Sequence, residues 1–511
     1  MMGERTEQER RKLAKANVLS SFLRQLVSTV CGVIIPRIMI GAFGSVVYGA
    51  TVSITQFLSY ISLFESGIGR VARGALYKSL AEKDNRQISS IYQEIKGFFK
   101  KVGILFLVYA AVIAFFYYDI ADITVFDRKY TMGLVCVICL STFANYMIGI
   151  TNMTLLHADQ KQYLTNTIIM ITNMINAAAI AFLVWQSADV LSVKLISSLI
   201  FVTRPVLYAY FVKKQYRLEK VSGTGHALSQ KWTGMGQHIA YFLHTNTDVV
   251  LLTLFADLKF VAVYSVYHLV INSIWNIASS FSGGMEAALG SALVRLEKRE
   301  VGAMYERYKV LLTLVSLVMF GTASVLLEPF IGLYMGGVSD ADYTQPLFGL
   351  ILLLAEGMNC IALPCCTLPI SANCLKKTRW GSYLEAVINI TVSLLLIRWN
   401  PLLGVAIGTF AATVFKCVYY MIYSGRHFIQ RRPAVLLGQF AVTMLTLLLI
   451  HEIGRALLAG VAMENYFVWC LWGCVVAACT GIVALLVCKL LFPKTMHLNP
   501  RSILRMMARS R

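Results

Sequence analysis

The chain has 511 residues, 57% of them hydrophobic and 14% charged, and its mean hydropathy is +0.66. Its 46 Lys and Arg stand against 26 Asp and Glu, a net charge of +20. A spanning helix needs ~20 mostly apolar residues; such stretches recur from Asn17 to Leu491, which excludes almost every soluble enzyme and places the function in a cavity between helices.

Fourteen spans are predicted, at 17–41, 45–68, 98–118, 130–154, 163–185, 191–212, 237–256, 260–283, 308–330, 345–368, 379–397, 401–424, 435–454 and 466–488. The reading is an all-α polytopic membrane protein. Residues 1–16 form a cytoplasmic N-terminus, 17–212 an N-lobe of spans one to six, and 213–236 a cytoplasmic linker. Residues 237–424 form a C-lobe of spans seven to twelve, 425–490 carry spans thirteen and fourteen, and 491–511 are a basic cytoplasmic tail.

A charge in hydrocarbon costs ~3 kcal/mol, so an ionisable residue inside a span normally faces the bundle interior or water. In span one, Ser21, Arg24, Ser28 and Cys31 follow helical spacing and form one polar stripe, and Arg37 follows Pro36 further out. Arg24 can snorkel or face a lumen, and its depth favours the lumen; Arg37 is near enough to the outer interface for either role. Span two offers Thr55, Gln56, Ser59 and Tyr60, with Glu65 at its inner end. The stretch 69–97 is apolar at Val71, Leu76, Leu80, Ile88, Ile91 and Ile95 among many bases, and is predicted to lie as a helix on the inner membrane surface. In span four, Cys136 and Cys139 have the spacing of a redox or metal pair, but buried apolar packing is the better reading for cysteines within spans. Arg204 precedes Pro205 in span six, and Lys416 lies deep in span twelve; each can bridge helices or meet substrate.

Span seven puts Tyr241, His244, Thr245 and Asp248 on one face, and span eight does the same with Tyr264, His268, Asn272, Trp275 and Asn276. Asp248 can pair structurally with His244 or an arginine, or bind. Asp248, Glu356 and Glu385 are the candidates for proton or cation coupling. The candidate cavity set is Arg24, Arg37, Gln56, Tyr60, His244, Asp248, His268 and Asn272. No catalytic group, metal ligand or cofactor is predicted.

With the N-terminus inside, 36 basic residues fall on the cytoplasmic side, six on the other (Arg128, Lys129, Lys194, Lys259, Arg398 and Arg455) and four within spans. That asymmetry sets both termini in the cytoplasm. It also explains the charge as topology and attraction to anionic membrane lipids rather than nucleic-acid binding. The first apolar run is too long for a cleavable signal peptide and is interrupted by Arg24.

The segments from Tyr48 and from Tyr264, 216 positions apart, share an order: a polar-studded span, a Phe, a glycine cluster, an amphipathic stretch, and a further tyrosine at Tyr92 and Tyr305. Six spans separate them, so the two halves have the same orientation, the parallel-repeat design of some transporters. The polar stripes lie on the first two spans of each half, and symmetry would bring them to one central cleft. Arginines there suit phosphate or pyrophosphate through forked hydrogen bonds, and aromatic and amide side chains suit sugars.

The run Pro36-Arg37-Ile-Met-Ile-Gly41-x-x-Gly44-x-x-x-Tyr48-Gly49, followed by Gly67, Gly69 and a basic surface helix, is similar to the polysaccharide biosynthesis flippases. These Wzx-type O-antigen or capsule flippases belong to the multidrug/oligosaccharidyl-lipid/polysaccharide export superfamily. The resemblance implies fourteen helices, two six-helix lobes and a central cavity open alternately to each side of a bacterial cytoplasmic (inner) membrane. It implies movement of an undecaprenyl-pyrophosphate-linked oligosaccharide from the inner to the outer leaflet, with Arg24 and Arg37 in the matching first helix of a cationic cavity. Proton or sodium coupling and polymerase or glycosyltransferase partners follow as expectations. A multidrug or small-molecule antiporter is the alternative, one that an acidic first lobe would have favoured. A membrane-embedded glycosyltransferase or polymerase would need a long outward loop carrying catalytic groups, and none is seen. A non-transporting component of a glycan-assembly complex predicts that cavity substitutions are harmless.

Overall fold

The computed structural model describes residues 7–65, 68–123, 125–219, 221, 235–295, 298–372, 374–429, 431–461 and 463–496. Gly67, most of the 213–236 linker, including Lys220 and Lys231, and the tail from 497 onward lie outside the described residues. The described chain is helical, with no strand among the described residues.

The helices run α1 (Glu7–Phe43), α2 (Ser45–Ser59) with a tighter turn Tyr60–Phe64, α3 (Ile68–Glu82) and α4 (Asn85–Ile120). Then come α5 (Arg128–Ala144), a π turn Asn145–Gly149, α6 (Ile150–Ala158), α7 (Gln162–Trp185), α8 (Val190–Gln215), α9 (Met235–Phe255) and α10 (Leu258–Ser280). The rest are α11 (Gly283–Arg295), α12 (Lys298–Tyr334), α13 (Pro346–Ser371), α14 (Leu375–Leu396), α15 (Pro401–Ser424), a second π turn Gly425–Ile429, α16 (Pro433–Leu458), α17 (Tyr466–Leu491) and the short α18 (Pro493–Met496).

Each of the fourteen predicted spans is occupied by a helix, α5, the π turn and α6 together forming the fourth. Twelve helices among the described residues are long and apolar enough to cross a bilayer. Of the other two, α14 carries Glu385 and Asn389, which lower its hydropathy, and α9, which carries His244 and Asp248, is apolar over the shorter run Ile239–Phe255 among the described residues. Several helices predicted to start on the outer side open with a side-chain cap: Asp127 accepts from the Tyr130 amide, Asp189 from Leu191, Asn400 from Leu403 and Asn465 from Val468.

The stretch 69–97 does not form one surface helix. It divides at Lys83, whose φ is 59°, and Asp84 caps a new helix by accepting from the Gln87 amide at 3.0 Å. Residues 85–97 therefore continue unbroken into span three as α4. The second half repeats this order, short α11 followed by long α12.

The chain forms two compact units, one of residues 1–242 with 257–262, the other of 243–256 with 263–511. In the first, α1 packs on α7, α7 on α8, α8 on α5 and α5 on α4. In the second, α15 lies between α13 and α14, and α12 contacts α13, α16 and α17. The buried face of α13, with Phe348, Leu352, Met358, Cys365 and Leu368, makes it the core of this unit. Leu19, Phe22 and Val30 on α1, and Leu449, Ile453, Leu486 and Leu490 on α16 and α17, are exposed, as lipid-facing residues must be.

Candidate functional site

In the first unit the polar stripe of span one meets α7. Asn166 donates to Ser20 and Ser21 at 3.1 and 2.9 Å, and Asn173 donates to Ser28 at 3.0 Å. Asn17 accepts from the Tyr163 amide and donates to the Gln160 carbonyl. Arg204 joins the same seam from α8, donating to Thr172 at 2.7 Å and Asn173 at 2.5 Å, with its guanidinium 4.1 Å from the Phe201 ring centre. Of the two readings open for Arg204, the structure shows helix bridging.

Arg24 lies between these pairs, half-buried, and its Nε is buried with no hydrogen-bond partner. Tyr208 feels the charges of both Arg24 and Arg204, and His157 those of Arg24 and Arg73, so three arginines share one neighbourhood. Arg37 is half-buried one turn before Gly41, where a Cβ would sit 3.4 Å from its guanidinium. Gln56 donates to Ser59 on its own helix at 3.2 Å, and Tyr60 packs edge-on against Phe242 at 5.0 Å. Cys139 points its thiol at the Cys136 carbonyl, and the pair stays free.

The second unit holds a denser cluster. On α9, His244 and Asp248 are one turn apart and share a face. Asp248 is 3% exposed; its Oδ2 accepts from the Tyr264 hydroxyl at 3.0 Å and from Thr409 at 2.9 Å, and its Oδ1 has no partner. Asn389, on α14, donates to Thr409 at 2.9 Å, lies in hydrogen-bond range of Asp248, and has an unpartnered, buried Oδ1. Glu385, one turn before Asn389, sits 3.2 Å from the Lys416 ammonium and 3.5 Å from His244 Nε2. Among the described residues, no Lys, Arg or His forms an ion pair with Asp248.

A recess of about 410 Å³, counting the space open at its mouth, is lined by His244, Asp248, Tyr264, His268, Glu356 and Thr409. His268 stacks on Tyr264 at 5.5 Å, and Glu356 accepts from Asn359 at 3.3 Å. The structure thus brings together His244, Asp248, His268 and Glu356. Asn272 is exposed and accepts from Asn276, 3.5 Å away; Glu385 is turned to Lys416 instead of the recess.

Sequence reasoning missed Asn389, Thr409 and the Lys416 pairing. Ser382, Glu385, Asn389 and Ser393 follow helical spacing in span eleven, as do Thr409, Thr413 and Lys416 in span twelve. The stripe rule applied to spans one, two, seven and eight would have found them. A buried carboxylate with an unpaired oxygen, a neighbouring amide oxygen and two hydroxyls offers hard ligands only, which suits a proton or a small hard cation and not a soft metal.

Among solved structures, the chain is similar to the lipid II flippase MurJ in its inward closed conformation, with a TM-score of 0.67 and 12% identity over 92% of this chain and 97% of that one. It is similar to the MATE multidrug transporter DinF-BH, with a TM-score of 0.59 and 13% identity over 84% of this chain and 100% of that one. It is also similar to an outward-facing multidrug resistance MATE family transporter of the MOP superfamily, at 0.56 and 13% over 82% and 96%. No family model and no curated protein matches the chain. At these identities the likeness is one of fold: the chain is an all-helical, multi-pass membrane protein whose fold is similar to those of these three transporter structures.

Proposed function

We propose that the protein is a flippase that moves a polyprenyl-pyrophosphate-linked oligosaccharide from the inner to the outer leaflet by alternating access, coupled to a cation taken up at Asp248. The observation that carries the coupling is the Asp248 carboxylate, buried without a counter-ion among the described residues and with one oxygen unpartnered. A bare carboxylate in hydrocarbon is costly, so a proton or Na+ that binds there stabilises the conformation holding it. A site whose occupancy changes between conformations biases the equilibrium by its differential affinity.

The substrate assignment rests on the first unit. Arg24, Arg73 and Arg204 concentrate positive charge there, and a guanidinium matches a pyrophosphate through forked hydrogen bonds. Arg204 is held by Thr172 and Asn173, whereas Arg24 has an unpartnered Nε, so Arg24 is the residue assigned to meet an anion. A negative-inside potential adds ~2.3 kcal/mol per charge per 100 mV to outward movement of an anionic headgroup. Likeness of fold to a lipid II flippase supports this reading.

The acidic recess of the second unit favours one alternative, a multidrug antiporter, because Asp248 and Glu356 would attract an organic cation. The deciding experiment is reconstitution in vesicles carrying a polyprenyl-pyrophosphate oligosaccharide on one leaflet. Translocation driven by a Na+ or proton gradient and lost in Asp248→Asn supports the flippase. Efflux of a fluorescent organic cation without lipid translocation overturns it in favour of the antiporter.

A further inference from the structure

We propose that Lys416 is a tethered cation: its ammonium permanently neutralises Glu385, so the second unit takes up one cation fewer than its buried carboxylates would otherwise accept. This deepens the coupling reading of Asp248 and rests on it for its place in transport, though not for its test.

The geometry separates two carboxylates that the sequence presents alike. Glu385 and Asp248 both lie within predicted spans and are about equally buried; Glu385 is 5% exposed and Asp248 3%. Glu385 has an ammonium at 3.2 Å and an imidazole at 3.5 Å, while Asp248 has two hydroxyls, an amide and no cation among the described residues. Lys416 is itself mostly buried, 17% exposed, and its Nζ sits on a four-carbon stem anchored in the packed face of α15. An ammonium of this kind occupies the place of a bound monovalent cation but cannot leave. His244 lies between the two, its Nε2 turned to Glu385 and its Nδ1 buried without a partner one turn from Asp248. The other titratable groups facing the pair are Tyr264, His268 and Glu356 from α10 and α13, Cys366 from α13, and Cys417 and Tyr420 from α15.

Removing Lys416 leaves Glu385 a buried carboxylate with no ammonium, and such a group must recruit a mobile cation. Removing Glu385 leaves an uncompensated ammonium two turns along α15 from Thr409, the hydroxyl that bonds Asp248, and a buried charge at that range repels any cation arriving there. Removing both restores the original balance.

The test uses the full chain purified in detergent, with Na+ bound per protein counted by radiotracer and protons taken up counted by acid–base titration. The first arm identifies Na+ as the cation and the second identifies the proton. Lys416→Met gains one cation over the unsubstituted protein, Glu385→Gln loses affinity by roughly tenfold or more, and the double variant returns to the original count and affinity. In an Asp248→Asn background, Lys416→Met still gains one cation. Should Lys416→Met be unstable, its rescue by high Na+ or low pH reports the same gain, whereas instability indifferent to both overturns the proposal. Equal counts with and without Lys416 in a folded protein overturn it as well. If the unsubstituted protein takes up no cation that Asp248→Asn removes, yet Lys416→Met gains one, the coupling reading fails and the assignment of Lys416 stands.

Discussion

Gly404 and Gly408 on α15 set the distance on which the Asp248 cluster depends, and Gly408→Ala tests it. A Cβ at Gly404 would lie 2.7 Å from the Ile397 amide nitrogen; at Gly408 it would lie 2.8 Å from the Asn389 carbonyl oxygen and 3.0 Å from the Ser393 amide nitrogen. These are backbone atoms of α14 and the turn that ends it, and they cannot swing aside as a side chain can. Small residues four apart let two helices approach this closely within lipid. Restoring a normal separation of 3.4 Å at Gly408 means moving α15 by about 0.6 Å. The Asn389–Thr409 bond, 2.9 Å long, then stretches to about 3.5 Å, the edge of hydrogen bonding. The overpacking itself costs about 1–3 kcal/mol. Thr409 moves with α15, so its 2.9 Å bond to Asp248 stretches as well, and weakening a hydrogen bond to a charged group costs about 1.5 kcal/mol more. The assay is the thermal midpoint of purified protein, together with transport driven by an imposed Na+ or proton gradient. Gly438→Ala is the control, because a Cβ there meets nothing within 4 Å. Gly408→Ala lowers both readouts and Gly438→Ala lowers neither; a Gly408→Ala protein as stable and as cation-responsive as the original would refute the close-approach argument.

On the proposed flippase reading, Arg24→Ala abolishes glycan export in cells while membrane insertion stays normal, and Arg24→Lys retains part of it; a normal level of surface glycan with Arg24→Ala removes this residue from the mechanism. Arg204→Leu leaves Asn173 without its 2.5 Å partner and costs about 1–3 kcal/mol. It therefore lowers the thermal midpoint while transport survives at low temperature, and an unchanged midpoint contradicts the bridging role. Asp189→Ala removes the cap of α8 and costs about 1 kcal/mol at neutral pH. The Ser192 hydroxyl, bonded at 2.5 Å, holds the Asp189 carboxyl below its ordinary value of 3.8. The cap's contribution is complete above that value and disappears as the pH falls through the lower folded value. The stability gap between Asp189→Ala and the original protein thus closes in acid, and a gap that widens there refutes the assignment.

Hydropathy and the asymmetry of basic residues made the spans legible, because a bilayer constrains length and charge placement with few alternatives. Particular residues show where that legibility stops. Ser21, Arg24 and Ser28 could be placed on one face of α1, but nothing local to α1 says that Asn166 and Asn173 cover that face. Glu385 and Asp248 look alike as single acids within spans; only the arrival of Lys416 from another helix tells them apart. The stretch 69–97 has the amphipathic composition of a surface helix, yet Asp84 capping at Gln87 outweighs it and begins a new helix. Gly44, by contrast, could be flagged from its motif, and its φ of 82° is the break between α1 and α2. Gly49 in the same motif has no room for a Cβ, which would lie 2.0 Å from the Leu258 carbonyl oxygen.

The hydrogen bonds between α1 and α7 join residues 145 or 146 positions apart, from Asn17 with Tyr163 through Asn166 with Ser21 to Asn173 with Ser28. A constant offset means that the two helices run side by side in the same direction. Sliding either by a single turn would strand two carboxamides in hydrocarbon at once, so this pair works as a fixed ruler. Whatever rearrangement the protein undergoes, α1 and α7 travel together, and the shape change must be taken up elsewhere in the chain.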